Sequence, residues 1–234
     1  MVKRETISVS EVIRQLDNIV QLLTEEQQAE LRKHLSVHRY NKNQTIYNEG
    51  DVPQNLLCLI QGKVKIYKEG VGGRTQIVRV IKPVEYFGYR AFFAGENYVT
   101  SAAAFETSVI CRIPMELIYR WMQENINLSL YFVRQLSVDL GFSDQRTVSL
   151  TQKHIRGRLA EALLFLRDSY GLEPDDATLS IYLSREDLAN LSNMTTSNAI
   201  RTLSAFATEK LIAIDGRKIK IIDAEALKQI SKNG

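Results

Sequence analysis

Cysteine is scarce in this chain of 234 residues: there are two, Cys58 and Cys111, each alone in an apolar run. Without a Cys-x-x-Cys pair neither a thiolate metal site nor a disulfide framework is expected, and both residues read as buried reduced thiols. Long apolar runs are missing too. None approaches the roughly 18 residues of a membrane span, and residues 1–6 lack a signal-peptide pattern, so the expected location is the cytoplasm. Charge of one sign is also weak, with 30 Lys and Arg against 27 Asp and Glu, a net of +3. That balance does not by itself announce a nucleic-acid binder. Finally, there is no nucleophile–base pair, no metal-ligand spacing and no phosphate loop, so no enzyme is expected.

What the chain does have lies in its last quarter. Residues 183–206 read as a helix-turn-helix, a device that places one short helix in the DNA major groove. Ser184 is suited to cap the first helix, with Asp187 at its third position near the positive end of the helix dipole. Leu188 and Leu191 face inward, and Ala189 lets the second helix approach. The turn is 192–194, where Asn193 can take the left-handed conformation. Thr195 then caps a second helix whose buried side is Ala199, Thr202, Leu203 and Phe206, at helical spacing. Its opposite side shows Thr196, Ser197, Ile200, Arg201 and Ser204, the candidates for base and phosphate contacts. A plain helical hairpin in an unrelated core is the alternative.

The following residues favour DNA. Two strand-like runs, 211–214 and 217–222, are joined by Asp215-Gly216, which reads as the centre of a type I′ hairpin turn with positive φ at both positions. Lys218 and Lys220 share one face of the second strand. Residues 179–183 read as a third short strand, which completes a winged helix. The 151–234 region is nearly neutral, with 12 Lys and Arg against 11 Asp and Glu, but from Arg201 to Lys220 there are five basic residues against two acidic. A short positive stripe is enough, because only phosphate-facing charges release counterions.

Upstream, residues 8–35 read as one or two helices, the second opened by a capping box at Thr24 and Gln27. Short strands follow at 45–47, 56–60, 63–67, 76–81, 99–105 and 109–113, with turn residues between them. That spacing indicates a sandwich or barrel. A helix of about 36 Å is expected over 126–150. Its seam of Ile126, Ser129, Val133, Leu136, Leu140, Ser143, Thr147 and Leu150 either packs within its own domain or pairs with a twin. Ser143 and Thr147 make the distal seam polar, as suits a polar ligand nearby. The fold class is α+β, with expected domains at 1–123, 124–150 and 151–234.

The order of parts, with residues 46–50, 59–64, Tyr86-Phe87-Gly88 and 157–164, resembles the cyclic-AMP receptor protein / fumarate-nitrate regulator (CRP/FNR) family of bacterial transcription regulators. The likeness runs from about residue 16 to the C-terminus. Its most specific signature is the spacing of Gly50, Gly62 and Gly88. It implies a cyclic-nucleotide-binding-like β-roll, a long dimerisation helix with Val133, Leu136 and Leu140 in the seam, and a C-terminal winged helix-turn-helix. It further implies a homodimer on a two-fold site in double-stranded DNA, a hinge at 151–155, and RNA polymerase as a further partner if the protein activates; no membrane is involved. Arg201 falls where the family commonly keeps an arginine on a guanine edge or phosphate. Ser184, Arg185, Thr195, Thr196, Ser197, Ile200 and Lys218 complete the expected DNA contacts. Thr196 and Ser197 stand where the cyclic-AMP branch has Arg and Glu, so the operator is expected to differ.

The family's nucleotide cradle uses a Gly-Glu pair for the ribose and an Arg-Ser pair for the phosphate. In this sequence Gly88 is followed by Tyr89, and the second pair aligns with Val99 and Thr100. Arg90 is a replacement cation or a surface salt bridge. The effector pocket is therefore expected at Gly88, Tyr89, Arg90, Val99, Thr100, Ser143 and Thr147, with an effector other than cyclic AMP. Two separated cysteines cannot hold the iron–sulfur cluster of the fumarate-nitrate branch. Haem needs a ligand in the roll, and His34, His38 and His154 fall in the N-terminal region and the hinge. A haem-based gas or redox sensor, and a roll that acts on a protein partner, remain as alternatives.

Overall fold

The computed structural model describes residues 8–233; residues 1–6, read above for a leader, lie outside that range. The chain divides into two compact units. One comprises the residues up to Lys68 with Arg79–Leu140, and the other Glu69–Val78 with Gly141 onward.

The first unit opens with three helices, α1 (Val9–Gln15), α2 (Asp17–Val20) and α3 (Glu25–His34). Capping boxes start α1 at Ser8 and α3 at Thr24, so the first backbone N–H groups of each helix find side-chain acceptors. Strands β1 (Ser36–Tyr40), β2 (Thr45–Tyr47), β3 (Asn55–Gln61), β4 (Val64–Glu69) and β5 (Thr75–Ile81) follow, with one 3-10 turn at Val71–Gly73. Next come β6 (Tyr86–Phe87), α4 (Tyr89–Ala94), β7 (Ser101–Ala104), β8 (Ser108–Pro114) and α5 (Met115–Glu124). The strands form two four-stranded sheets, β1-β8-β3-β6 and β2-β7-β4-β5, which make the expected roll. Gly62 is required at the β3–β4 corner: at φ +91° an added Cβ would lie 2.4 Å from Ser108 Oγ and 2.7 Å from the Thr107 carbonyl. Leu16, Leu31, Leu56, Ile113, Ile118 and Trp121 lie in the core against the helices. Trp121 Nε1 donates to Glu30 at 2.9 Å, which satisfies a buried indole N–H.

Helix α6 (Ile126–Gln152) is longer by two residues than the expected 126–150. Its first half buries Leu128 and Phe132 in the roll's core. The division into units falls inside it, at Leu140 and Gly141, because its two halves pack on different cores.

The second unit continues with α7 (Ile155–Tyr170), α8 (Arg185–Leu191), α9 (Thr196–Thr208), β9 (Ile212–Asp215), β10 (Lys218–Ile221) and α10 (Ala224–Asn233). Leu159, Leu163, Leu188, Leu203, Phe206 and Leu227 make its core. Two local expectations are corrected. Residues 179–183 form no strand: only Thr178 and Leu179 make isolated bridges, to Lys220 and Leu172. Beyond them the chain buries Ile181 and Leu183 and runs directly into the Ser184 cap, so no ladder can extend. The wing turn is also shifted by one residue. Asp215 pairs with Lys218, so Gly216 and Arg217 are the central residues. Only Gly216 has positive φ, at 55°, which fits a type II′ turn rather than I′.

Candidate nucleic-acid interface and effector region

In the second unit both caps of the helix-turn-helix form. Ser184 Oγ accepts from Asp187 N at 3.0 Å, and Thr195 Oγ1 accepts from Asn198 N at 3.2 Å. Asn193 takes the left-handed conformation at φ 50°, which turns the chain between α8 and α9. Ala199, Thr202, Leu203 and Phe206 are buried, which leaves Thr195, Thr196, Ser197, Ile200, Arg201 and Ser204 on one exposed face of α9. Ile200 is 47% exposed. Lys218 is exposed, its Nζ 5.8 Å from the ring centre of Tyr182.

Four polar residues have more specific roles than the sequence showed. Arg185 Nη2 donates to the Gly216 carbonyl at 2.7 Å, which ties the first residue of α8 to the tip of the wing. Ser184 is half-buried, and its hydroxyl both caps the helix and donates to Asp187 Oδ2 at 2.8 Å. Asn198, which the sequence did not single out, accepts from Arg201 Nη2 and holds the guanidinium along the helix. An arginine three residues after an amide on one helix face was the available signal. Lys220 pairs with Asp175 at 3.3 Å, so the second wing lysine is engaged with its own domain.

In the first unit, Gly88 begins α4 at φ +85°. The space a Cβ would enter holds Tyr98 Oη at 3.0 Å and Leu57 Cδ1 at 3.2 Å. Tyr98 stacks on Tyr47 with ring centres 3.8 Å apart, and both rings are buried. Burial raises both phenols, Tyr47 to about 12, so they stay neutral. Tyr89 is buried, and its hydroxyl donates to Asp139 Oδ2 at 3.1 Å. Arg79 Nη1 donates to the same oxygen at 2.5 Å. Arg90 forms an exposed ion pair with Glu96 at 2.6 Å. Val99 is 42% exposed and Thr100 half-buried. The structure thus sets a buried Tyr89 next to a half-buried Gly88 and leaves Arg90 and Val99 at the surface. Ser143 and Thr147 belong to the second unit, exposed on α6, with Thr147 Oγ1 donating to the Ser143 carbonyl at 2.9 Å.

These residues do not fit a cyclic nucleotide. A phosphate would need a free cation, whereas Arg79 and Arg90 both hold carboxylates. The ribose would need an acceptor beside Gly88, where Tyr89 presents a hydroxyl engaged with Asp139. An iron–sulfur cluster fits no better. Cys58 and Cys111 are directly opposite each other in β3 and β8, buried, and two thiols cannot supply four thiolate ligands. Burial pushes the Cys58 thiol well above its ordinary range, so it stays protonated. His38 stands exposed on β1 and shares a hydrogen bond with Ser36 Oγ at 3.0 Å.

Along α6, Ile126, Leu130, Val133 and Leu140 are each more than half exposed and share one face at coiled-coil spacing. Leu136, also of the expected seam, is in a different setting. It is half-buried and packs against the roll's core, whereas Val133, Ser137 and Leu140 are exposed.

A two-sheet roll, a long helix and a winged helix with an open recognition face define a class: DNA-binding regulators with a cyclic-nucleotide-binding-type sensor domain. Comparison with known proteins agrees. Residues 37–125 match the cyclic nucleotide-binding domain and residues 157–230 the Crp-like helix-turn-helix domain. The CRP-like cAMP-activated global transcriptional regulator of Mycobacterium tuberculosis is 24% identical over 200 residues, covering 85% of this chain and 89% of that protein. The fumarate and nitrate reduction regulatory protein of Escherichia coli is 26% identical over 193 residues, covering 81% of this chain and 76% of that protein. Among solved structures, FixK2 from Bradyrhizobium japonicum superposes with a TM-score of 0.76 at 20% identity, covering 84% of this chain and 96% of that one. The chain belongs to the CRP/FNR family of transcription regulators. Among the described residues, no helix is long and apolar enough to cross a membrane.

Proposed function

We propose that the protein is a homodimeric, sequence-specific transcription regulator that binds a two-fold site in double-stranded DNA and answers to a small effector other than cyclic AMP. The observation that carries the reading is the exposed face of α9, with Thr196, Ser197, Ile200 and Arg201 side by side above a buried opposite face. Arg201 has the donor fork that matches a guanine edge or a phosphate, and Ile200 offers an apolar contact for a thymine methyl. Ser184, Arg185, Thr195 and Lys218 flank that face and supply phosphate contacts and wing support. The apolar stripe of Ile126, Leu130, Val133 and Leu140 meets its twin in the partner chain. Where the protein activates, RNA polymerase is the further partner, and the site of action is the cytoplasm.

Selection of bound fragments from random duplex DNA by the purified protein tests this. The expected product is a symmetric motif with half-sites about 34 Å apart, one turn of DNA. Enrichment of no motif, or of a single asymmetric half-site, contradicts it.

A further inference from the structure

In the first unit Arg79 and Arg90 are each paired with a carboxylate, whereas the second unit has a cavity lined by an arginine that is not. About 290 Å³ lies between the end of α6, the face of α7 and the turn of the helix-turn-helix. That is the small end of ligand-pocket size and fits a metabolite rather than a nucleotide. Phe142 and Phe165 contribute rings 5.7 Å apart on one wall, with Leu150 and Leu191 also lining the space.

Two polar groups in this lining are incompletely engaged. Arg146 donates through Nη2 to the carbonyls of Leu191 at 2.8 Å and Ile77 at 2.7 Å, while Nε and Nη1 make no hydrogen bond. No carboxylate among the described residues lies within ion-pair distance of it. Burial pushes its pKa down, with Glu161 the opposing influence. Ser192 is 2% exposed, and its Oγ is buried with no hydrogen-bond partner. Such a group is disfavoured unless something supplies a partner. The two carboxylates of the lining are already occupied: Glu161 by Ser149 and by Lys153 at 3.0 Å, and Asp168 by Arg167 at 2.7 Å. Arg158, the other cation, donates only to backbone carbonyls, those of Ser192 and Asn193 at 3.0 and 3.1 Å among them. The cavity lining therefore holds both the half-buried Arg146 and the unpartnered Ser192 hydroxyl, beside an aromatic wall.

We propose that this cavity is a binding site for a small aromatic carboxylate, with the anion on Arg146 and Ser192 and the ring against Phe142 and Phe165. Leu191 and Ser192 directly precede the Asn193 turn and the Thr195 cap, so occupancy bears on how α9 is set against α8. That regulatory consequence rests on the DNA-binding reading above, whereas the binding itself does not. Ligand and DNA then change each other's affinity by one common factor.

Calorimetric titration of the full-length protein with 1-naphthoate tests the site, with 1-naphthylmethanol as the uncharged control. Naphthoate is expected to bind once per chain and about tenfold more tightly than the alcohol, since a charge-assisted contact is lost in the latter. Arg146→Gln is expected to weaken binding about tenfold. Ser192→Ala removes a buried hydroxyl that has no partner, so it is expected not to lower the melting temperature while weakening naphthoate several-fold. Absence of saturable binding at millimolar naphthoate, equal binding of the alcohol, or full binding by the Ser192→Ala protein overturns the site. Operator affinity is measured separately by fluorescence anisotropy. A selected operator bound equally with and without saturating naphthoate overturns the regulatory half, and failure to bind any DNA refutes the DNA reading while leaving the titration to decide the site.

Discussion

Arg79, on a strand of the roll, forms an ion pair of 2.5 Å with Asp139 on the long helix, and Tyr89 joins the same carboxylate oxygen. Each of the two charged side chains keeps about a quarter of its surface in solvent, at 27% and 28%. Solvent therefore screens the pair in part, yet removal of one member leaves the other charge poorly solvated. The expected cost of Asp139→Asn is about 2 kcal/mol, below the range for a fully buried pair that loses one partner. Tyr89→Phe, which deletes a single hydrogen bond, is expected to cost about 1 kcal/mol. Urea denaturation of the full-length protein measures both. An Asp139→Asn protein as stable as the parent refutes the tie.

The exposed stripe on α6 yields a second expectation. Val133→Glu places a charge in the apolar face formed with Leu130 and Leu140, and is expected to convert the proposed dimer to monomers in sedimentation equilibrium. Leu136→Glu is expected to act differently, by destabilising the roll, because Leu136 packs against its core. Both substitutions giving folded monomers contradicts the assignment of Leu136.

Much of this architecture is legible in the sequence because its signals are local. The caps at Thr24, Ser184 and Thr195, the left-handed Asn193 and the buried face of α9 follow from a few adjacent residues, and each forms as expected. The corner at Gly62 and the turn into α4 at Gly88 are likewise glycine positions that the signature spacing had marked. What the sequence hides is long-range pairing. Cys58 and Cys111 face each other across two strands, Asp139 gathers Arg79 and Tyr89, and Tyr98 occupies the space beside Gly88. No spacing rule announces these, since each depends on how distant segments pack. Residues 179–183 misled for a related reason. Their alternating apolar residues serve burial on the domain core, and a strand also needs a neighbour along its whole length.

Asp175 anchors the loop before the winged helix and links it to Lys220. Its carboxylate accepts the backbone N–H and hydroxyl of Thr178, both at 2.8 Å, and the backbone N–H of Ala177 at 3.1 Å. The Thr178 backbone N–H is the main influence, followed by its hydroxyl, and together with Ala177 and Lys220 they hold the group well below the usual carboxylate range. A depressed folded-state pKa favours the ionised native form. The stabilisation is therefore fully present above the unfolded value near pH 4 and is lost as pH falls through the folded value. Asp175→Asn is expected to lower the melting temperature by a constant amount at neutral pH and down to about pH 5, with the gap narrowing in stronger acid. A gap that stays constant below pH 4 contradicts this account of the loop.

The central claim is that the exposed face of α9 reads DNA, and Arg201 is its most exposed test. The decisive measurement is fluorescence anisotropy of a selected operator against the parent and Arg201→Ala proteins at one fixed salt concentration. The account predicts an affinity loss of about tenfold or more, as for removal of a base- or phosphate-binding arginine, with dimer mass and helix content unchanged. An Arg201→Ala protein that binds the operator as tightly as the parent contradicts it.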